Sequence, residues 1–368
     1  MSTKKDKFSS KDKNYMRLAI DLARARKGLT GENPSVGCII VKNDKIISIG
    51  QTGYNGRPHA ETNAINNSFQ KLSGSKMYVT LEPCNHYGKT PPCTKKIIEN
   101  GIDEVFYSIN DIDNKVKGKS FKILRKKNIK VKKGLLKNEG LELYDSYMIN
   151  RKSKLPYVTA KIAVSNNNLI YSENNKKITD QTSDKLSHYL RFKNDAIMIS
   201  IKTLHADNPK LNCRLKGYEN FSPKRIVLDR NLDIDLKTHI FKSANKDNTI
   251  IIYNSKNHSK IKLLKKKGIQ LIKSKLDKKK KFDLRIIFRK LFNLGVRNLL
   301  IEGGDKITKN ILKNRLANQF YLFKSPKNLP KNKKHVFFTS NDILLNNYKF
   351  KSKKSSKLAK DKIYIYIR

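Results

Sequence analysis

Short apolar runs alternate with helically spaced segments along most of this chain, and that alternation limits the possible folds more than any other feature. NYMRLAIDLARARK (14–27) places Met16, Ala19, Ile20 and Ala23 on one face, the spacing of an amphipathic helix. VGCIIV and KIISIG read as two strands joined through the turn residues Asn43 and Asp44. HAETNAINNSFQKL then reads as a helix, KMYVTL as a buried strand, CTKKIIEN as a helix and EVFYSI as another buried strand. GKSFKILRKKN supplies a further helix that leads into a short basic strand. This alternation predicts a largely parallel sheet covered by helices on both faces. A ligand site belongs at the carboxyl ends of such strands, where Pro83 and Cys84 fall.

A polar, basic stretch, NRKSKLP (150–156), interrupts the pattern before it resumes in YVTAKIAV, a helix over about 180–193, DAIMIS, KRIVLD, NTIIIY, IQLI and RNLLIEGG. The last strand is KIYIYIR at the carboxyl end. At 368 residues the chain is long enough for two cores. The division expected is a basic, disordered tail over 1–12, a first domain over 13–150 and a second over 155–368. There is no internal repeat and no GxGxxG fingerprint, so a Rossmann nucleotide domain is not the expectation.

No apolar run reaches the length of about 18 residues that a membrane span needs, and MSTKKDKFSSKDKN lacks the apolar centre of a secretory signal. The four cysteines are Cys38, Cys84, Cys93 and Cys213. Two of them are better used as metal thiolates than as a bridge, which suits a reducing cytoplasm. Lys plus Arg number 80 against 31 for Asp plus Glu, a formal net charge of +49 that would ordinarily suggest nucleic acid. The lysines are spread over the whole chain, however. The densest runs, KLLKKKGIQ and KLDKKKKFD, read as solvated helix faces without interleaved aromatic residues for base stacking. With asparagine and isoleucine also abundant, the charge reads as compositional drift toward A/T-rich codons, with attraction of phosphorylated substrates as a by-product.

HAE at 59–61 and LEPCNHYGKTPPC at 81–93 carry the chemistry. A catalytic zinc takes three protein ligands and leaves one position open for water. His59, Cys84 and Cys93 supply the three, one zinc per chain, and Glu61 stands close enough to move protons at the fourth position. The pattern H-x-E…P-C…C is the signature of zinc-dependent base deaminases. The same residues admit a structural zinc with His86 as fourth ligand, or two buried thiols. Pro83 before Cys84 reads as a strand end opening into a helix start. The eight residues between the cysteines, where nucleic-acid deaminases carry two, place His86 and Lys89 beside the metal and suit an anionic small substrate.

NPSVGCIIV (33–41), PHAE (58–61) and LEPCNHYGKTPPC together resemble the bifunctional deaminase–reductase family of riboflavin biosynthesis. The resemblance implies a cytidine-deaminase-like three-layer α/β domain followed by a dihydrofolate-reductase-like α/β domain. It implies hydrolysis of the ring 2-amino group of a diaminopyrimidinone ribosyl phosphate, with Asn33, His86 and Lys89 contacting that substrate. Thr52 is a departure, since the family usually has a substrate-contacting histidine there. A tRNA deaminase that uses the basic charge is the rival reading. A binding module that has lost its chemistry is another, disfavoured by the intact His59, Glu61, Cys84 and Cys93.

In the second half, TLHADNPKLNCR (203–214) reads as a loop outside the sheet because of its dense turn chemistry. Glu302-Gly303-Gly304 follows an apolar strand and precedes a helix, a place where backbone N–H groups hold phosphate, although a plain strand-to-helix turn has the same signature. Lys161 in YVTAKIAVS joins these segments in resembling the reductase half of the same family, over most of 155–310 and fading after about 325. That likeness implies NADPH contacts at Ala163, Thr203, Asp207, Gly304, Asp305, Lys306 and Thr308. It implies substrate contacts at Asn175, Arg191, Leu211, Arg214 and Glu302, and places Lys161 at the reacting carbonyl. It also implies a homo-oligomer. Four departures accompany it: Ser165-Asn166-Asn167-Asn168 for the usual SLDG, Asn175 for a serine, Lys177 for a tryptophan and Arg230 for a serine. They leave open a chain that deaminates and no longer reduces.

Overall fold

The computed structural model describes residues 7–172, 178–352 and 360–368, which form two units, Met1–Ser153 and Lys154–Arg368. Asn175 and Lys177 lie outside the described residues. The boundary falls inside the basic stretch 150–156.

The first unit runs α1 (Ser10–Arg26), β1 (Gly37–Lys42), β2 (Lys45–Gln51), α2 (Ala60–Asn66), β3 (Lys76–Leu81), α3 (Cys93–Glu99), β4 (Glu104–Ile109), α4 (Lys119–Lys126), β5 (Lys130–Lys133), α5 (Lys137–Leu143) and α6 (Asp145–Ser153). The stretch 1–12 is not a tail throughout, because α1 starts at Ser10. Ser9 and Asp12 form a capping box in which each side chain bonds the other's backbone N–H, at 3.1 and 3.0 Å. Met16, Ala19, Ile20 and Ala23 are fully buried along one stripe of that helix.

The sheet order is β2-β1-β3-β4-β5. It is less parallel than the alternation predicts: β3, β4 and β5 are parallel, but β1 runs antiparallel to both β2 and β3. The tight Asn43–Asp44 turn, with both residues at positive φ, reverses the chain directly and leaves no room for a crossover helix. Helix α2 is shorter than its sequence suggests and stops at Asn66. Its backbone presses so closely on β2 that a Cβ at Gly50 would lie 2.2 Å from the Ala60 carbonyl oxygen. That contact sets α2, and the His59 that precedes it, against the sheet. Helices α5 and α6 occupy the end of the unit, which the sequence left without elements.

The second unit contains β6 (Tyr157–Val164), β7 (Leu169–Ser172), α7 (Gln181–Phe192), β8 (Ala196–Ser200), α8 (Ile201–Asp207), β9 (Lys224–Leu228), α9 (His239–Lys242), β10 (Thr249–Tyr253), α10 (His258–Lys266), β11 (Gln270–Lys273), α11 (Leu284–Asn293), β12 (Asn298–Glu302), α12 (Asp305–Lys313), β13 (Gln319–Lys324), β14 (His335–Phe337), α13 (Asn341–Asn347), β15 (Lys349–Ser352) and β16 (Lys362–Ile367). Its main sheet has the order β11-β10-β9-β8-β12-β6-β13-β16-β15. From β11 to β13 every neighbouring pair is parallel, and β16 and β15 then pair antiparallel at the edge. Alternate residues feed two cores. Leu299 and Ile301 of β12 face the core under α11, α12 and α13, whereas Leu300 faces the one under α7, α8, α9 and α10.

Two expectations are corrected here. The segment 203–214 is not all loop, because Ile201–Asp207 is helical, capped by Ser200 and ended by Asn208 at φ 41. Of the two lysine-rich runs, KLLKKK lies on α10, but Lys278–Lys281 form a turn held by Asp277, whose side chain accepts from the Lys281 N–H at 2.8 Å.

Candidate metal centre and reduction site

The first site forms where three chain segments meet at the end of β3. His59 is the N-cap of α2 and turns its ring Nδ1 to within 3.3 Å of Cys93 Sγ and 3.5 Å of Cys84 Sγ. Cys93 is the first residue of α3, and its N–H donates to Cys84 Sγ at 3.3 Å. Cys84 itself does not open a helix. Pro83 leads into an irregular loop, and α3 begins only after the Pro91-Pro92 pair, with Pro92 as its N-cap. Ligand atoms of His59, Cys84 and Cys93 all lie within 4.8 Å of one another. His86 does not join them and is exposed, as is Lys89, so the fourth position is not filled by protein among the described residues.

The electrostatics fit a dicationic guest. A hydrogen bond from Cys93 holds the Cys84 thiol down at about 4, and the same bond, with burial, pushes Cys93 well above the usual thiol range. A bound cation relieves this opposition by stabilising both thiolates. Glu61, 4 % exposed in the first turn of α2, has its carboxyl pushed up to about 7 by burial, against the pull of His59. This is the range in which a carboxyl both takes and gives a proton near neutrality.

The surrounding residues divide into those that face the site and those that brace it. Asn33 donates through Nδ2 to the Gly56 carbonyl at 3.4 Å. Thr52 is buried and turned to the backbone: Val36 N–H donates to its hydroxyl at 2.8 Å. The residue that replaces the family's histidine is thus spent on holding the 34–36 segment. Sequence reasoning missed Arg57 and Glu82. Arg57 reaches the inter-cysteine loop and donates from Nη1 to Thr90 Oγ1 at 2.6 Å. Glu82 Oε2 accepts from the N–H groups of Asp111 and Gly118 at 3.2 and 3.0 Å, tying the loop after β4 to the Pro83–Cys84 segment. The signal for Glu82 was its place inside LEPC; Arg57 had none.

The second site lies at the carboxyl ends of β6 and β12. Parallel register sets Lys161 beside Glu302 on one side and Tyr321 on the other. The Lys161 ammonium lies 5.0 Å from the centre of the Phe323 ring. Burial lowers its pKa, and Glu302 opposes that shift. Arg191 at the end of α7 grips Glu302 with both prongs, Nε and Nη2 each donating at 2.9 Å, and donates from Nη1 to the Asn212 carbonyl at 3.2 Å. Most of its fork is therefore committed to the protein. Burial pushes the Glu302 carboxyl up, but the Arg191 and Lys161 charges outweigh it and hold the group at about 2. Arg191, Leu211 (φ 54) and Arg214 share one cavity of about 420 Å³ with Asn208, Pro209 and His239. Arg214 is exposed and donates from Nη1 to Asn212 Oδ1 at 2.7 Å.

Next to Glu302, Gly303 and Gly304 make the turn into α12. A Cβ at Gly303 would lie 2.0 Å from Ile307 Cγ2, so a side chain there would have to displace Ile307. Gly304 caps α12 without a side-chain bond, which leaves the first N–H groups of the helix available to an anion. A Cβ built on Gly304 would lie 3.9 Å from Thr203 Oγ1, so α8 meets this turn. Asp305 is committed elsewhere, accepting from the N–H and hydroxyl of Thr339, both at 2.8 Å. Thr308 is buried, Lys306 is exposed, Ala163 is half-buried in β6, and Asp207 is exposed at the end of α8.

Two of the departures are absorbed locally. Asn168 takes the left-handed conformation (φ 60) that the family's glycine would supply, and Asn167 exchanges bonds with Leu329 at 2.8 and 3.1 Å. Arg230 points away to the Lys280 carbonyl at 2.9 Å.

Comparison with known proteins agrees with both halves. Residues 156–364 match the profile of the RibD C-terminal domain, well past 325, and residues 9–109 match the cytidine and deoxycytidylate deaminase zinc-binding region. The riboflavin biosynthesis protein RibD of Aquifex aeolicus is 35% identical over 318 residues, covering 86% of this chain and 87% of that protein. RibD of a Buchnera aphidicola strain is 32% identical and covers 95% and 97%. The structure of Acinetobacter baumannii RibD superposes with a TM-score of 0.84 at 26% identity, covering 97% and 98%. A Thermotoga maritima diaminohydroxyphosphoribosylaminopyrimidine deaminase/5-amino-6-(5-phosphoribosylamino)uracil reductase superposes at 0.81 with 29% identity. Among the described residues no helix is long and apolar enough to cross a membrane.

Proposed function

The chain belongs to the RibD family of riboflavin biosynthesis, and from that premise we propose how its own residues divide the work of a bifunctional deaminase and reductase. The observation that carries the reading is the pairing of a three-ligand cluster and buried Glu61 in one unit with a buried Lys161–Glu302–Arg191 set in the other.

In the first unit His59, Cys84 and Cys93 hold zinc. When bound, zinc supplies Lewis-acid activation of water. Glu61 takes a proton from the attacking water and delivers it to the departing ring amine. The carbon–nitrogen bond breaks, ammonia leaves and a ring carbonyl remains. His86 and Lys89, on the exposed inter-cysteine loop, attract the ribosyl phosphate, and Asn33 orients the ring. Arg57 keeps that loop in place through Thr90.

In the second unit the α12 N-terminus, Thr203, Asp207 and Ala163 would hold NADPH, the uncapped helix N-terminus being suited to its phosphate groups. NADPH supplies the hydride. Arg214 and the Leu211 turn hold the substrate's phosphate end. Arg191 orients Glu302 and the 211–214 loop rather than binding phosphate with its whole fork. Lys161 donates the hydrogen bond and then the proton that the ribosyl carbonyl oxygen needs as hydride reaches C1. Glu302 keeps the lysine charged despite its burial. The four cysteines, none in a disulfide, support a cytoplasmic setting, and the lack of interleaved aromatic residues in the densest lysine runs supports a small-molecule substrate over nucleic acid.

The test is incubation of the purified protein with the diaminopyrimidinone ribosyl phosphate, with and without NADPH. Ammonia release in both arms, with NADPH oxidised in the arm that contains it, is the expected result. Ammonia release without NADPH oxidation would remove the reductase assignment, and deamination of tRNA instead would remove the substrate.

A further inference from the structure

Arg225, the second residue of β9, is 7 % exposed, yet it has no acidic partner among the described residues. Its guanidinium donates to the Ser243 hydroxyl and carbonyl at 2.6 and 3.0 Å, to Asn248 Oδ1 at 2.8 Å and to Thr249 Oγ1 at 2.8 Å. All of these acceptors are neutral. Burial alone accounts for the lowering of its pKa, with no neighbouring charge to offset it. A buried cation without a counter-charge is costly even when hydrogen-bonded, and most are paired.

Arg225 also lines a cavity of about 520 Å³. Lys210, His239 and Lys242 stand around the same cavity, Leu211 and Pro223 give it an apolar wall, and no carboxylate among the described residues lines it. Exposed lysines alone would not distinguish this place on a chain of net charge +49. The buried, uncompensated guanidinium does. Lys210, Leu211 and His239 also border the cavity that holds Arg191 and Arg214, so the two spaces adjoin at the 208–214 loop.

We infer that this cavity is a second anion site, separate from the ribosyl phosphate cavity, that binds a small organic phosphate monoester with its phosphate at the Arg225 end and its organic part against Leu211 and Pro223. The volume exceeds what a bare phosphate needs, and the wall offers an apolar surface to the remainder of the ligand. The two cavities share Lys210, Leu211 and His239, and Arg225 and Lys242 belong to this one and not to the other.

Ribose 5-phosphate is the probe, with ribose and inorganic phosphate as companions, measured by calorimetry on the full chain at fixed physiological salt. Replacing Arg225 would disturb the Ser243–Thr249 turn, so Lys242→Glu carries the test. Lys242→Glu should weaken ribose 5-phosphate by about tenfold or more, the value of one charge-assisted contact turned repulsive. Lys279→Glu, a control for general charge in a turn that does not line the cavity, should leave binding unchanged. Inorganic phosphate should displace the probe, and ribose should bind far more weakly. Loss of binding in Arg214→Ala with none in Lys242→Glu would put the ligand in the substrate cavity and overturn the inference. Equal weakening by Lys242→Glu and Lys279→Glu, equal binding of ribose, or failure of inorganic phosphate to compete would overturn it as well.

Discussion

Replacing Glu302 with Gln removes one charge from the Lys161–Glu302–Arg191 set while keeping its shape. In the folded chain the Glu302 carboxyl is held at about 2 against an ordinary 4.5, a difference that links to about 3 kcal/mol of stability. Both members of the Arg191 pair are largely buried, at 13% and 15% exposure, so solvent screening discounts this little. Because the folded value is depressed, the contribution is fully present above 4.5 and is lost as pH falls through about 2. E302Q should therefore be less stable than the parent by about 3 kcal/mol at neutral pH. The gap should shrink steadily as the pH drops from 4.5 toward 2. Hydrogen exchange on peptides spanning β12 and α12 reads this unit without assuming that the two-unit chain unfolds in one step. A gap below about 0.5 kcal/mol at neutral pH, or one that does not change with acidification, would refute the claim that Arg191 and Lys161 hold this carboxylate ionised.

Glu61→Gln should keep zinc bound, by metal analysis, and lower ammonia release by about 100-fold or more, the usual worth of a positioned acid–base group; a wild-type rate would end that role. Chelation should abolish ammonia release and leave NADPH oxidation on the deaminated substrate intact, with zinc restoring the first activity; parallel loss of both would show that the metal supports more than one unit. Phe323→Leu, which removes the ring beneath the Lys161 ammonium, should lower the reductase kcat by about twofold to thirtyfold, the range of a partly buried cation–π contact. Ammonia release in that variant should be unchanged.

The strands were legible because their β-branched runs are long enough to be read without a partner. VGCIIV, KMYVTL, EVFYSI and DAIMIS all coincide with strands to within a residue or so. The motif HAE…PCN…C names the three residues whose ligand atoms converge, since spacing alone brings a helix start and two loop ends to the same strand terminus. What escaped was decided by turn geometry, local capping or partners distant in sequence. The strand direction of β1 depends on a turn rather than on composition, and α8 hides in a stretch whose Asp-Asn-Pro content favours turns. The bond from Arg191 to Glu302 spans 111 residues, and no local pattern announces it. Thr52 looked like a lost substrate contact, whereas its hydroxyl had been recruited by the Val36 backbone.

The position of β6 in its sheet has a consequence for synthesis on the ribosome. This strand pairs with β12 and β13 and with nothing made earlier, and Val158 N–H finds its acceptor, Asn318 Oδ1, only 160 residues later. The centre of the second unit must therefore wait, as nascent chain, until most of it has been translated. During that interval two long β-prone segments, YVTAKIAV and DAIMIS, are exposed with their eventual neighbour missing. At the usual elongation speed of about 5–20 residues per second the wait is on the order of ten seconds or more. The first unit, whose partners are close together in the chain, is complete before that interval begins. Mutations or codon changes that slow translation between β8 and β12 should lower soluble yield through the second unit alone.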